Sequence, residues 1–225
     1  DASGIWFNGW GGSNSVINLN TGGTLVTSRT IKNGTANAAN VNFDGGTLKV
    51  GANNLLLADD QTAFNFVLGA GGGFVDTNGF TATINEGLSG TGNLIKQGAG
   101  RLNIRGVNTF SGAIDIQAGH LSVSGGGSLR STGTTNGIYA SNITTAANTI
   151  FEVDSNVNHT LSGLISGAGE VRKWNTGTLT LSGANTYTGK TLVGAGVLSV
   201  SSLANGGQSS NIGASTNAAA NLELQ

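Results

Sequence analysis

Three groups of side chains in this sequence are of types that do chemistry. Glu152 and Asp154 are next-but-one neighbours, so on a β-strand they share one face. They are the best carboxylate pair for general acid–base work on a glycan, with a solvated face as the plainer reading. The other close pair, Asp59 and Asp60, would point to opposite faces of a strand and reads as a solvated turn. The remaining acids are scattered, whereas a lyase or hydrolase needs its carboxylates gathered in one groove. His120 and His159 are well separated and no acid repeats beside either, so they read as surface strand positions, not metal ligands.

Arg172, Lys173 and Trp174 form the densest basic–aromatic cluster, suited to stacking a sugar or another ligand. Trp6, Phe7 and Trp10 lie in glycine-rich sequence and make either a carbohydrate platform or a local packing cap. Arg172, Lys173, Trp174, Trp6 and Trp10 are thus the candidate ligand-facing residues. The stretch Ala184 to Thr191 ends in Gly189-Lys190-Thr191 and fits a relaxed phosphate-loop pattern. That mechanism needs a helix next, and a turn and strand pattern follows instead. Gly69 to Gly73 lacks the spacing of a dinucleotide loop, and the single carboxylate of the following Asp76 turn is too little for calcium. No catalytic, cofactor-binding or metal site is expected.

These residues must be positioned by short strands. Candidates are Val16 to Leu19, Thr24 to Thr27, Thr47 to Val50, Phe64 to Leu68, Phe80 to Ile84 and Leu94 to Lys96. Further along come Arg101 to Ile104, Ala113 to Ile116, His120 to Val123, Thr149 to Val153, Glu170 to Lys173, Thr178 to Leu181, Thr191 to Val193 and Val197 to Val200. Glycine, asparagine, serine and threonine clusters separate them. The chain has 39 glycines and no proline, cysteine or methionine. Glycine suits tight turns and close backbone approach, and proline would delete ladder donors. With 10 basic and 11 acidic residues, there is no basic stripe for nucleic acid. No stretch reads as a signal peptide or membrane span.

A gap-free repeat organises the strands. The stretch from Gly90 to Val123 recurs, without insertion or deletion, from Gly167 to Val200. Within it a shorter interval appears. Leu102 to Leu121 is the same step as Leu179 to Leu198, and the step between the Gly-Gly-Thr-Leu runs at Gly22 and Gly45 is only slightly longer. Apolar Leu102, Ile104, Leu121 and Val123 alternate with polar Asn103 and Ser122, a period of two. Together these predict an all-β, right-handed parallel β-helix of roughly ten coils and about 50 Å, with almost no helix. Asn108 and Asn185, at matching turns, would cap backbone groups, and Phe110 and Tyr187 would pack inward. Two long segments, 124–137 and 204–217, each follow a Leu-Ser-Val strand and are expected to project from the same side of the rod.

The motif carried by Gly90, Gly92, Leu94, Lys96, Gly98, Gly100, Leu102, Gly106, Asn108, Thr109, Phe110 and Gly112, closing on Ala118, Gly119, Leu121 and Val123, resembles the passenger-associated-transport repeat. The second copy matches at Gly167, Gly169, Lys173, Gly177, Leu179, Leu181, Gly183, Asn185, Thr186, Tyr187 and Gly189, closing on Ala195, Gly196, Leu198 and Val200. It departs at Trp174 to Thr176, where a glycine is usual, and at Val171, where leucine is usual. The full copies run over about 87–123 and 163–200 within a single solenoid, 1–225, read as a fragment of a longer chain. The resemblance implies a right-handed parallel β-helix of a bacterial surface or secreted protein, used for display, adhesion and export. It transfers no catalytic residue and no cofactor. The expected function is therefore a structural, adhesin-like display segment, not an enzyme. Its partners would be host or matrix glycans or proteins, with end-to-end or side-by-side self-association but no membrane insertion by this segment. The rivals are a β-helix polysaccharide lyase or glycoside hydrolase, and a glycan- or ice-binding module using a threonine-rich face at Thr81/Thr83 and Thr178/Thr180.

Overall fold

The computed structural model describes residues 4–7, 14–33, 38–58, 64–130 and 137–225. Every strand pairing in it is parallel. The described strands stack into a β-solenoid of about eight turns, fewer than the ten expected. Several coils are longer than the step from Leu102 to Leu121. Asn40 pairs with Asn65 and Val123 with Val153, because extra chain is inserted between the partners. A three-residue 3-10 turn, Ala219–Asn221, is the one helical element among the described residues.

Each turn contributes to three faces. One is an eight-stranded sheet running from Leu55–Leu56 through Arg101–Ile104, His120–Gly125, Ile150–Ser155 and Glu170–Trp174 to Leu222–Leu224. The second is a seven-stranded sheet from Thr24–Thr27 to Ile165–Gly167. The third is broken into two four-stranded sheets, Ser15–Asn20 to Leu88–Gly90 and Ile138–Tyr139 to Val197–Val200. Between the two stands a separate two-stranded pair, Val107–Asn108 and Ser128–Leu129. The steps read from sequence hold as register: Thr24 lies beside Thr47, Leu102 beside Leu121 and Leu179 beside Leu198.

Alternation builds the core. In Gly46–Val50 and Thr178–Leu181, inward residues are buried and their neighbours face out. Like side chains then stack coil on coil: Leu102, Leu121, Phe151 and Val171 form one inward column, and Ile104 and Val123 continue a second. Burying each such aliphatic contributes about 1.5–3 kcal/mol, which offsets the ordering of many short strands. Phe110 and Tyr187 are fully buried, as expected of packing aromatics. Phe110 meets Tyr139 edge-on at 5.6 Å, and Tyr187 shares a 2.7 Å bond with the Thr191 hydroxyl.

Close coil stacking makes particular demands on glycine. A Cβ at Gly112 would intrude on the carbonyl oxygen of Gly92 in the turn beneath. The matched Gly90 and Gly167 both hold φ at +102° and lie against the carbonyls of Leu68 and Thr145. No L-residue with a side chain fits such a position without strain.

The two repeat copies do not occupy the same faces. Lys96 lies on the seven-stranded sheet, but its counterpart Lys173 lies on the eight-stranded one. Leu102 lies on the eight-stranded sheet and Leu179 on the third face. The second copy is thus advanced by one face of the prism. This overturns the expectation that 124–137 and 204–217 leave the same side, since the strands preceding them, His120–Gly125 and Val197–Val200, belong to different sheets. Nor is the first segment simply a loop. Ser128–Leu129 pairs with Val107–Asn108, and Leu129 is buried. Residues 131–136 lie outside the described residues.

Candidate functional site

The outward residues of the eight-stranded sheet carry most of the polar chemistry. Thr83, Asn103, Ser122, Glu152, Arg172, Leu192 and Glu223 stand in register up the face. Parallel pairing sets neighbours about 4.8 Å apart, so unlike groups on successive strands meet. Glu152 and Asp154 do share a face on the strand Ile150–Ser155. Glu152 is nevertheless 4% exposed, because Arg101 pairs with its Oε1, the Ser122 hydroxyl donates to the same oxygen at 2.9 Å, and His120 Nε2 lies 3.4 Å away. Asp154 stands 3.8 Å from Arg101 Nη2.

This arrangement is poorly made for acid–base catalysis. Burial raises the Glu152 value, but His120, Arg101 and the Ser122 bond outweigh it and hold the carboxyl below its ordinary range. Glu152 therefore stays ionised and has no proton to donate near neutrality. Ser122 is fully buried and bonded to Glu152, so it offers no accessible nucleophile. Among the described residues no group of three or more histidine, aspartate or glutamate side chains could hold a metal.

Further up the face, Arg172 Nη2 bonds Glu170 at 2.6 Å, and Lys190 lies 3.7 Å from Glu170 and pairs with Glu223. Glu170, Arg172 and Lys190, with Asn148, Thr149, Ile150, Ala168 and Gly189, line an open depression of about 540 Å³. The phosphate-loop pattern at Gly189-Lys190-Thr191 leads into the strand Thr191–Val193, so its lysine serves the ion pairs with Glu170 and Glu223. Thr180 has Thr160 on one side, but Ser199 and Ile138 end that row, and Thr83 stands beside Asn103, so neither threonine row extends beyond two coils.

The expected basic–aromatic trio resolves into two faces. Arg172 and Trp174 point outward, half-buried, while Lys173 between them points into the rod and is 2% exposed. Its ammonium bonds the carbonyls of Trp174, Asn175 (2.7 Å) and Ala195 (3.5 Å). Lys96, its counterpart in the first copy, is fully buried and bonds the matching carbonyls: Gln97 (2.8 Å), Gly98 (2.7 Å) and Ala118 (3.1 Å). Thr77 Oγ1 is a fourth partner at 2.9 Å. The repeat lysine is thus an internal corner clamp joining successive coils. Burial lowers both lysines, Lys96 to about 8. Sequence reading places Lys173 in a ligand-facing cluster. The signal that corrects it is its period-two position between two outward residues, together with its counterpart at Lys96.

The matched asparagines also tie coils together. Asn108 accepts from Leu88 N at 3.1 Å and donates to Gly106 O and Ser128 O. Asn185 accepts from Ile165 N at 2.8 Å and donates to Asn211 O at 2.6 Å. His159 is a further correction: it is 1% exposed, not a surface residue. It occupies an inward position of His159–Leu161, with Nδ1 3.1 Å from Val157 O. Burial lowers its value to about 4, the bond to Val157 opposing and the nearby Lys173 charge assisting. Trp6 lies on the strand Gly4–Phe7 beside Lys32 in register. Trp10, Asp59 and Asp60 lie outside the described residues. The strands carrying Trp6 and Trp174 belong to different sheets.

The described residues thus form a parallel β-solenoid in which two repeat copies are clamped from inside. The family described as the passenger-associated-transport-repeat matches residues 94–123 and 171–200, so the chain carries two copies of that repeat. Over 95% of its length the chain is 36% identical to the adhesin BmaC autotransporter of Brucella suis biovar 1 (strain 1330), in an alignment of 240 residues. It spans 7% of the length of that relative. No solved structure matches the chain.

Proposed function

We propose that residues 1–225 are one solenoid segment of a longer, surface-displayed or secreted bacterial passenger, acting as an adhesin-like display rod and not as an enzyme. The observation that carries this reading is where the functional groups go. Inward polar groups clamp coil to coil, and the outward carboxylates of the largest sheet are held in ion pairs instead of being poised for catalysis. A rod so built presents faces to partners, and host or matrix glycans and proteins are the partners it fits. Similarity to a protein named as an autotransporter adhesin supports the same reading.

The test uses the full-length parent in its own bacterium. An antibody against Ala204 to Asn217 should bind intact cells, and in-frame deletion of the segment should lower adhesion to host cells or matrix. An epitope reached only after lysis would overturn display. Release of reducing or unsaturated ends from a panel of polysaccharides by the purified chain would overturn the non-enzymatic reading.

A further inference from the structure

The two repeat copies differ at one outward slot in a way the fold does not require. In the first copy the slot is filled by Gln97 and, one coil on, Gln117, whose side-chain amides bond at 3.0 Å. The same positions in the second copy are Trp174 and Gly194. An amide ladder that stitches two coils has given way to an indole lying over a glycine.

The geometry of that pair is specific. A Cβ at Gly194 would meet Cζ3, Cη2 and Cε3 of Trp174 together, all three at nearly one distance and well inside contact. Approach to three consecutive ring carbons at one distance is approach to the ring face, not its edge. The indole therefore lies flat over the Gly194 backbone, which needs glycine beneath it, and its opposite face looks away from the rod. Trp174 is half-buried rather than covered. A flat, fixed aromatic face on a rigid sheet costs little ordering to bind against.

The surrounding charge selects the ligand. Asp154 pairs in register with Trp174 on the preceding strand, and its side chain is 37% exposed. The cations near it are committed: Arg172 to Glu170, Lys190 to Glu223 and Glu170, and Arg101 to Glu152, with the same Arg101 Nη2 3.8 Å from Asp154 Oδ2. Apolar ring face and carboxylate acceptor, without a spare cation, suit a sugar that carries C–H faces and hydroxyls and no negative charge.

We propose that Trp174, seated on Gly194 and flanked by Asp154, is a binding platform for a neutral hexose ring. The pyranose C–H face stacks on the indole, and a ring hydroxyl donates to the Asp154 carboxylate. The biological place of this site rests on the display reading above, but the measurement is made on the purified chain. Failure of either therefore leaves the other standing.

The probes are maltohexaose, cellohexaose and laminarihexaose, with heparin as a polyanion. Calorimetry should give binding to at least one neutral oligomer, unchanged by raising salt to screen ion pairs, and none to heparin. Labelled indole N–H signals should shift for Trp174 and stay in place for Trp6 and Trp10. The double variant Trp174→Gln with Gly194→Gln rebuilds the ladder of the first copy, should fold with an unchanged far-ultraviolet spectrum, and should weaken binding at least tenfold. Trp174→Phe should retain most of it. No binding to any of the three oligomers, equal binding by the folded double variant, or heparin binding in place of neutral sugar would each overturn the proposal.

Discussion

Acidification should loosen this rod through one residue, His159. Its ring is buried, with Nδ1 turned to Val157 O and the Lys173 ammonium nearby. The folded value is about 4, against 6.5 for the free side chain. Well above pH 6.5 both states are neutral, so the full stability is present there. As pH falls from 6.5 toward 4, the unfolded chain takes up a proton that the folded chain refuses, and stability drops. The whole difference of about 2.5 units corresponds to roughly 3–4 kcal/mol, at about 1.4 kcal/mol per unit. About 2 kcal/mol of it should be gone by pH 5, while most carboxylates are still ionised. Urea unfolding followed by circular dichroism at half-unit steps from pH 7 to 5 should show this decline. His159→Leu should be flat over the same range, whatever its absolute stability. Leu161→Val loosens the packing of the same short strand without touching a titrating group, and should keep the wild-type slope. An identical slope in His159→Leu would refute the assignment.

Other perturbations test the corner clamps and the coil stacking. Lys96→Met strands the carbonyls of Gly98 and Ala118, so it should cost about 2–4 kcal/mol in urea unfolding, even with the buried charge removed. Lys96 should also give the wild type a rise in stability from pH 8 toward its ordinary value of 10.5, where the unfolded chain holds a proton the folded chain has lost, and Lys96→Met should lack that rise. Gly112→Ala should fail to fold or lose more than about 3 kcal/mol, while Gly126→Ala, with open space around it, should stay within about 0.5 kcal/mol by thermal melting. Asn185→Ala removes a buried bridge between three coils and should cost roughly 2–4 kcal/mol, measured the same way.

Long strands with alternating apolar residues were legible from sequence, and Thr24–Thr27, Phe64–Leu68, Arg101–Ile104 and Thr178–Leu181 agree residue for residue. The unread strands are of two kinds. Leu55–Leu56 and Val107–Asn108 are too short to carry a period, and the neighbouring coil alone makes them strands. Ala39–Asp44 is half asparagine and aspartate, residues depleted in strands, yet its outward asparagines bond one another up the face, Asn42 to Asn18 and Asn65 to Asn40, each at 3.0 Å. The same limit explains the polar residues. Lys173 and His159 are of surface-prone types, and only the stacking of one turn on the next shows that Lys173 finds carbonyls inside. The pairing of Trp174 with Gly194 was equally hidden, since a whole coil of sequence separates partners that the winding brings into contact.

The shift of the second copy by a third of a revolution changes how such a chain can diversify. A unit duplicated at this length does not lay a row of like sites along one flank. It winds them round the axis, so that a fourth unit would be the first to look the way the first one does. A novelty acquired by one unit, such as an indole where its sibling keeps glutamine, opens a new bearing and leaves the old one untouched. A long fibre assembled on this plan could meet different surfaces in different directions while every unit keeps the same skeleton.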